Sequence, residues 1–131
     1  LNKKPIYVFN NGNHIRDFTF VDDITDGIYK VTKKKFIKVT KKNDPSESSC
    51  PFRILNIGNN NPVPLMTYIK SLESELGVKS KKIFKPLQKG DIKKTNASIK
   101  KIKNLYNYNP NTKIKKGIKN FVNWYREYFD V

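Results

Sequence analysis

Two side chains in this sequence are each of a type and setting to contact a ligand. Arg16 follows the turn-forming run Asn10-Asn11-Gly12-Asn13. Its guanidinium is always charged and offers a rigid fork of donors that matches phosphate oxygens. Asp91 closes the tetrapeptide Gln88-Lys89-Gly90-Asp91. There the glycine lets a backbone approach a ligand closely, and the carboxylate can accept hydrogen bonds from sugar hydroxyls. Simpler roles stand beside these: a surface ion pair of Arg16 with Asp17, and a plain lysine-containing turn at Gln88–Asp91. Phe9 and Asn10 are secondary candidates, with core packing and turn formation as their alternatives. Asp22 and Asp23 are expected to cap a helix rather than to act as a carboxylate pair. His14 reads as a loop residue, because no nucleophile accompanies it. Tyr29 and Lys33 match a Tyr-x-x-x-Lys acid/base pattern, but in a chain with 24 lysines that spacing arises by chance.

Composition narrows the classes of function. The formal net charge is +16 over 131 residues, with a pI near 9.9, so a polyanionic partner has to be weighed. The cations, however, are 24 Lys against three Arg, whereas forked recognition of bases and phosphates favours arginine. Nucleic acid is therefore not expected as a partner. The single cysteine, Cys50, excludes an intrachain disulfide, and the lone histidine leaves no convincing metal-ligand spacing. Asn96-Ala97-Ser98 fits a glycosylation acceptor, a pattern too short to stand alone. No apolar run is long enough to span a bilayer and no signal peptide is recognisable. A cytoplasmic location is expected, with no membrane partner.

Elements must hold Arg16 and Asp91 in place, and the pattern supplies them. Ile6–Phe9 reads as a strand, Phe18–Val21 as an extended stretch, and Asp22 and Asp23 as a helix opening that complements the helix dipole. Ile24, Ile28 and Val31 continue at helical spacing. Lys33–Cys50 is polar and expected to be a surface loop, mobile at Asn43–Ser49. Arg53–Ile57 reads as a second strand, ended by Gly58. Pro62 and Pro64 precede a helix with Leu65, Ile69, Leu72 and Leu76 on one face and Gly77 at its end. Ile83–Leu87 is a short extended segment, Ile99, Ile102 and Tyr106 mark a small helix, and a longer one is expected over Thr112–Tyr128. Strands alternating with helices predict an α/β fold.

Several stretches carry a family resemblance. They are Gly12-Asn13-His14-Ile15-Arg16-Asp17-Phe18-Thr19-Phe20-Val21-Asp22-Asp23-Ile24, then Pro51-Phe52-Arg53-Ile54-Leu55-Asn56-Ile57-Gly58-Asn59, Pro62-Val63-Pro64-Leu65-Met66 and Gly117–Phe129. Together they resemble the C-terminal substrate-binding part of NAD-dependent nucleotide-sugar epimerases and dehydratases in the extended short-chain dehydrogenase/reductase superfamily, and most closely the UDP-glucuronate 4-epimerase branch. The resemblance implies a Rossmann-type α/β enzyme of polysaccharide biosynthesis. Residues 1–131 would be its C-terminal nucleotide-sugar-binding portion, with few short strands, three to four helices and a mobile loop at about 33–50. By the same resemblance Arg16 contacts the diphosphate of a UDP-sugar and Asp91 the nucleoside. Gln88 approaches the phosphates, and Phe9 and Asn10 border the base.

The family's catalytic Tyr/Lys pair and NAD loop belong to an N-terminal Rossmann portion that this sequence does not include. No catalytic, cofactor-binding or metal-binding residue is therefore expected here, and NAD is expected only in the complete enzyme. Lys89 replaces the family's usual proline, and Asn96 and Ser98 stand where Thr-Tyr-Ala-Asp is usual. The resulting expectation is a UDP-sugar-holding part that is catalytically incomplete alone. The alternatives are a basic polyanion-binding module or an inactive remnant of a split epimerase gene. A separate N-terminal half, or self-association through exposed apolar surface, would complete the set of partners.

Overall fold

A computed structural model describes residues 4–36, 44–48 and 50–131. The described residues form two compact units. One is made of those up to Phe18 with Asn61–Asn96 and Thr112–Val131; the other of those in Thr19–Asn60 with Ala97–Asn111. The first unit holds strands β1 (Ile6–Val8), β2 (Ile15–Arg16), β3 (Val63–Pro64) and β4 (Lys82–Phe84). Its helices are α2 (Leu65–Leu76) and α4 (Ile114–Phe129). The second unit holds helices α1 (Val21–Lys33) and α3 (Lys100–Tyr106).

In the first unit β1 runs parallel to β4, with Ile6 opposite Lys82, Tyr7 opposite Ile83 and Val8 opposite Phe84. β2 runs antiparallel to β3, pairing Ile15 with Pro64 and Arg16 with Val63. Pro62 and Pro64 keep the chain extended just before α2, since proline fixes φ and restrains the residue before it. α2 then follows the apolar spacing of Leu65, Ile69, Leu72 and Leu76, with Ile69 buried. It stops where Gly77 turns left-handed at φ +70° and returns its amide to the Glu73 carbonyl. α4 packs on α2, burying Gly117, Ile118 and Val122 and leaving Phe121, Trp124, Tyr128 and Phe129 exposed.

Glu73 ties the end of α2 to β4. Its Oε1 accepts from Lys82 Nζ, from Ser80 Oγ at 2.6 Å and from the Ser80 amide at 2.7 Å. Those bonds, led by Lys82, hold the Glu73 carboxyl down at about 2, against 4.5 ordinarily.

The second unit is built around Ile99, Ile102, Tyr106 and Tyr108, against which Val31, Leu55, Ile57, Ala97 and Leu105 pack. Tyr108 is fully buried and donates its hydroxyl proton to the Gly58 carbonyl at 3.0 Å. α1 lies so close to that ring that a Cβ on Gly27 would stand 2.9 Å from Tyr108 Cε2.

Asp22 and Asp23 fall in the first turn of α1, but Phe20 is the N-cap and no side chain caps the helix. The expected cap is therefore absent; Asp23 Oδ1 instead accepts from the Asn111 amide at 3.3 Å. The expected strand Arg53–Ile57 does not form either. Its pairing among the described residues is a single bridge, Glu47 to Arg53, with Ile54 donating to the Ser46 carbonyl at 2.8 Å. A strand needs a neighbour in register over successive residues, and here the neighbour is a turn. Phe52 and Ile54 are left exposed at 54% and 56%.

The expected loop over Lys33–Cys50 is partly seen. Asp44–Ser48 is a turn held by Lys101, whose Nζ is 2.6 Å from Asp44 Oδ2 and 3.2 Å from Glu47 Oε1. Lys101 and Ser46 keep the Asp44 carboxyl well below the usual carboxylate range. Residues 37–43 and 49 lie outside the described residues.

Replacing a helical glycine by alanine ordinarily gains about 1 kcal/mol. At Gly27 the overlap with a ring anchored at its hydroxyl outweighs that gain. Gly27→Ala should lower the denaturant midpoint, costing about 1–3 kcal/mol. Glu73 has a depressed folded pKa, so its contribution is complete above the unfolded value near 4.5 and is lost as pH falls toward about 2. Thermal melts between pH 5 and pH 2 should accordingly fall less steeply in Glu73→Gln than in the parent chain.

Candidate functional site

The residues that sequence spacing singled out converge in the first unit. The segment 14–16 lies between two others: Ile15 donates to the Lys93 carbonyl at 3.0 Å and accepts from the Thr95 amide at 3.1 Å, while the Leu65 amide donates to the His14 carbonyl at 2.8 Å. This clamps the backbone beneath Arg16. The guanidinium is fixed in turn, with Nη1 donating to the carbonyls of Ile15 (3.1 Å) and Lys93 (3.2 Å) and Nη2 donating to Asp91 Oδ1 at 3.1 Å.

Asp91 is positioned by its own turn. Its amide donates to the Gln88 carbonyl at 3.2 Å, and Gly90 sits at φ +82°. That is the third position of a type II turn, which demands a positive φ and so a glycine. Asp91 Oδ1 also accepts from the Ile92 amide at 2.8 Å, which locks the carboxylate to the turn. Arg16 and Asp91 are each about three-quarters buried, so an ion pair here keeps an open edge toward solvent.

The alternative role for Arg16, an ion pair with Asp17, is not seen; its carboxylate partner is Asp91. Successive strand residues face opposite ways. Asp17 accordingly uses its amide on Thr95 Oγ1 (3.1 Å) and its Oδ1 on the Asn61 amide (3.1 Å). Phe18 stacks on Tyr68 with ring centroids 4.1 Å apart.

His14 lies in the loop before β2, as expected, but the sequence reading missed its burial: it is 4% exposed, with Nε2 3.0 Å from Asp91 Oδ2. The signal was the period of two, since His14 and Arg16 lie on one face of the same extended segment.

The other candidates sit apart from this cluster or serve the fold. Asn10 and Asn11 adopt left-handed φ of 50° and 49° in a short 3-10 turn over Phe9–Gly12, and Asn10 Nδ2 donates to the Asn13 carbonyl at 2.7 Å. Asn10 thus does the turn-forming work that its alternative role assigned to it. Phe9 opens that turn and is half-buried. Gln88 is exposed at the start of the Asp91 turn. Tyr29 and Lys33 lie on α1 with Lys33 Nζ 5.4 Å from the ring centroid, a face contact that leaves the phenol oxygen out of it. Among the described residues no group of three or more His, Cys, Asp or Glu is arranged to hold a metal. No helix among them is long and apolar enough to cross a membrane. An apolar cavity of about 320 Å³ in this unit is lined by Ile6, Ile69, Leu72, Leu76 and Val78, among others, and includes neither Arg16 nor Asp91.

No protein-family model matches the chain. Individual proteins do. Protein CapI of Staphylococcus aureus is 38% identical over 98% of this chain and 40% of its own length. UDP-glucuronate 4-epimerase 1 of Arabidopsis thaliana is 35% identical over 98% of this chain and 31% of its own. In three dimensions the chain superimposes on UDP-glucuronic acid 4-epimerase from Bacillus cereus, in complex with UDP-glucuronic acid and NAD, with a TM-score of 0.78 and 25% identity. That match covers 96% of this chain and 36% of the other. The chain thus spans between 31% and 40% of the length of these three proteins.

The turn that carries Asp91 offers a direct check on the site's geometry. Lys89 occupies the second turn position, where proline pre-sets φ. Lys89→Pro should stabilise the chain by about 0.4–1 kcal/mol, read as a raised denaturant midpoint. Its α/β fold is that of the Rossmann-type extended short-chain dehydrogenases/reductases, and the chain is a homologue of the UDP-glucuronate 4-epimerases, matching the C-terminal part of those enzymes.

Proposed function

We propose that this chain is the substrate-binding part of a UDP-glucuronate-type 4-epimerase, holding the diphosphate and nucleoside of the nucleotide sugar and catalytically incomplete by itself. The observation that carries this reading is the pairing of Arg16 with Asp91, 75 residues apart in sequence and 3.1 Å apart in space. A fork of cationic donors and a hydrogen-bond-accepting carboxylate lie side by side, as a phosphate next to a ribose requires. Arg16 takes the diphosphate oxygens, Asp91 the nucleoside hydroxyls, and Gln88 borders the phosphates. Phe9 and Asn10 would border the base under this reading.

Binding energy collected at this remote handle would orient the sugar ring for chemistry carried by another part of the enzyme. NAD belongs to the complete enzyme under this reading. The described residues do not fit it: of the glycines at positive φ, Gly77 ends a helix, Gly90 sits in the Asp91 turn, and Gly12 ends the 3-10 turn before β2. None of these opens a helix in the way that a dinucleotide pyrophosphate needs. The partner that completes the site is then a separate or contiguous N-terminal Rossmann half, in the cytoplasm. Where that half is missing, exposed Phe52, Ile54, Trp124 and Tyr128 favour self-association.

Calorimetric titration of UDP and UDP-glucuronate into the chain tests the proposal. Arg16→Ala should weaken binding about 10- to 100-fold, the size expected for losing charge-assisted hydrogen bonds. Equal affinity in the two proteins would remove Arg16 from the site. Steeply salt-dependent binding of any polyanion, indifferent to UDP, would instead favour a basic binding module.

A further inference from the structure

Resting on the UDP-binding reading above, we propose that His14 is a positioning residue: it fixes the Asp91 carboxylate so that its one remaining acceptor site faces the nucleoside. A carboxylate has about four lone-pair sites. Asp91 Oδ1 uses two, on Arg16 Nη2 at 3.1 Å and on the Ile92 amide at 2.8 Å. Oδ2 is flanked by His14 Nε2 at 3.0 Å, which covers one side of that oxygen and leaves its other side for a ligand hydroxyl. Facing a carboxylate at this distance requires the proton on Nε2, since two lone pairs would repel.

His14 is suited to the task because it cannot move. Its ring is 4% exposed, and its backbone is held by the Leu65 amide at 2.8 Å. The Nε2 contact is close but not aligned as a hydrogen bond, so the donor is buried without a properly directed acceptor. A buried, misdirected donor is costly, and a small rotation of the Asp91 carboxylate on ligand binding would relieve it. The histidine thus selects one carboxylate rotamer and adds binding energy for ligands that engage Asp91, while leaving Arg16 and its phosphate partner untouched.

The test uses the full chain and two ligands, UDP and inorganic pyrophosphate, by calorimetry. His14→Leu should weaken UDP about tenfold, the scale of one buried hydrogen bond, and leave pyrophosphate unchanged. His14→Gln, which keeps a neutral donor of similar reach, should restore most of the UDP affinity. Circular dichroism melts confirm that each variant folds. UDP binding by His14→Leu equal to that of the parent overturns the inference alone. Equal loss of UDP and pyrophosphate without rescue by His14→Gln also overturns it, as a purely structural role. Failure of the parent chain to bind UDP overturns the reading beneath it, and the nucleoside role of His14 with it. A ligand-free measurement stands independently. His14 is the chain's sole histidine, so its imidazole resonances should shift in Asp91→Asn and stay put in Asp130→Asn. No shift in Asp91→Asn overturns the proposal whatever the titrations show.

Discussion

The site in this chain depends on one carboxylate. Asp91 is where two sequence-distant segments of the first unit meet: Arg16 on one oxygen, His14 on the other, and its own turn through Ile92. The pair is partly exposed, so by itself it adds only about 0–1 kcal/mol to stability. Its importance is geometric. Without an anion beside it, Arg16 would be a long cationic side chain free to sample many rotamers. With Asp91 and two backbone carbonyls as partners, the fork is fixed before a ligand arrives, and less ordering entropy is lost on binding.

The same logic extends over the whole chain. Acidic residues number 11 against 27 basic ones, so each acid placed inside an ion pair is placed against a large excess of competing cations. The described pairs put them at joints. Glu73 joins the end of α2 to β4, and Asp44 and Glu47 join a turn to Lys101. Asp91 joins two turns. The lysine excess is spread along the sequence and gives solvation and repulsion, whereas the few acids determine where segments touch.

What the sequence disclosed, it disclosed through local periodicity. Leu65, Ile69, Leu72 and Leu76 mark α2, and Gly77 ends it, because side-chain spacing and a left-handed cap are properties of consecutive residues. The C-terminal helix was legible for the same reason. The expected strand Arg53–Ile57 does not form, because a strand exists only with a partner, and partners are not written in the strand. Arg16 and Asp91 were each readable as candidates from residue type and turn chemistry. Their contact was not, since a separation of 75 positions leaves no local trace of it. His14 was read correctly as a loop residue, but its burial was not legible, because an isolated histidine beside asparagines carries no local sign of it. Only the pairing of segment 14–16 with its neighbours buries it.

The contact of Gly27 with Tyr108 has a consequence for how this sequence can change. The ring is held at its far end by the Gly58 carbonyl and at its near edge by the bare backbone of α1. A larger residue at 27 needs a smaller ring at 108, and a smaller ring at 108 leaves a void unless 27 grows. Each single step passes through a less stable chain, while the double step need not. The two positions should therefore drift together or not at all, a linked pair of letters 81 apart in the sequence.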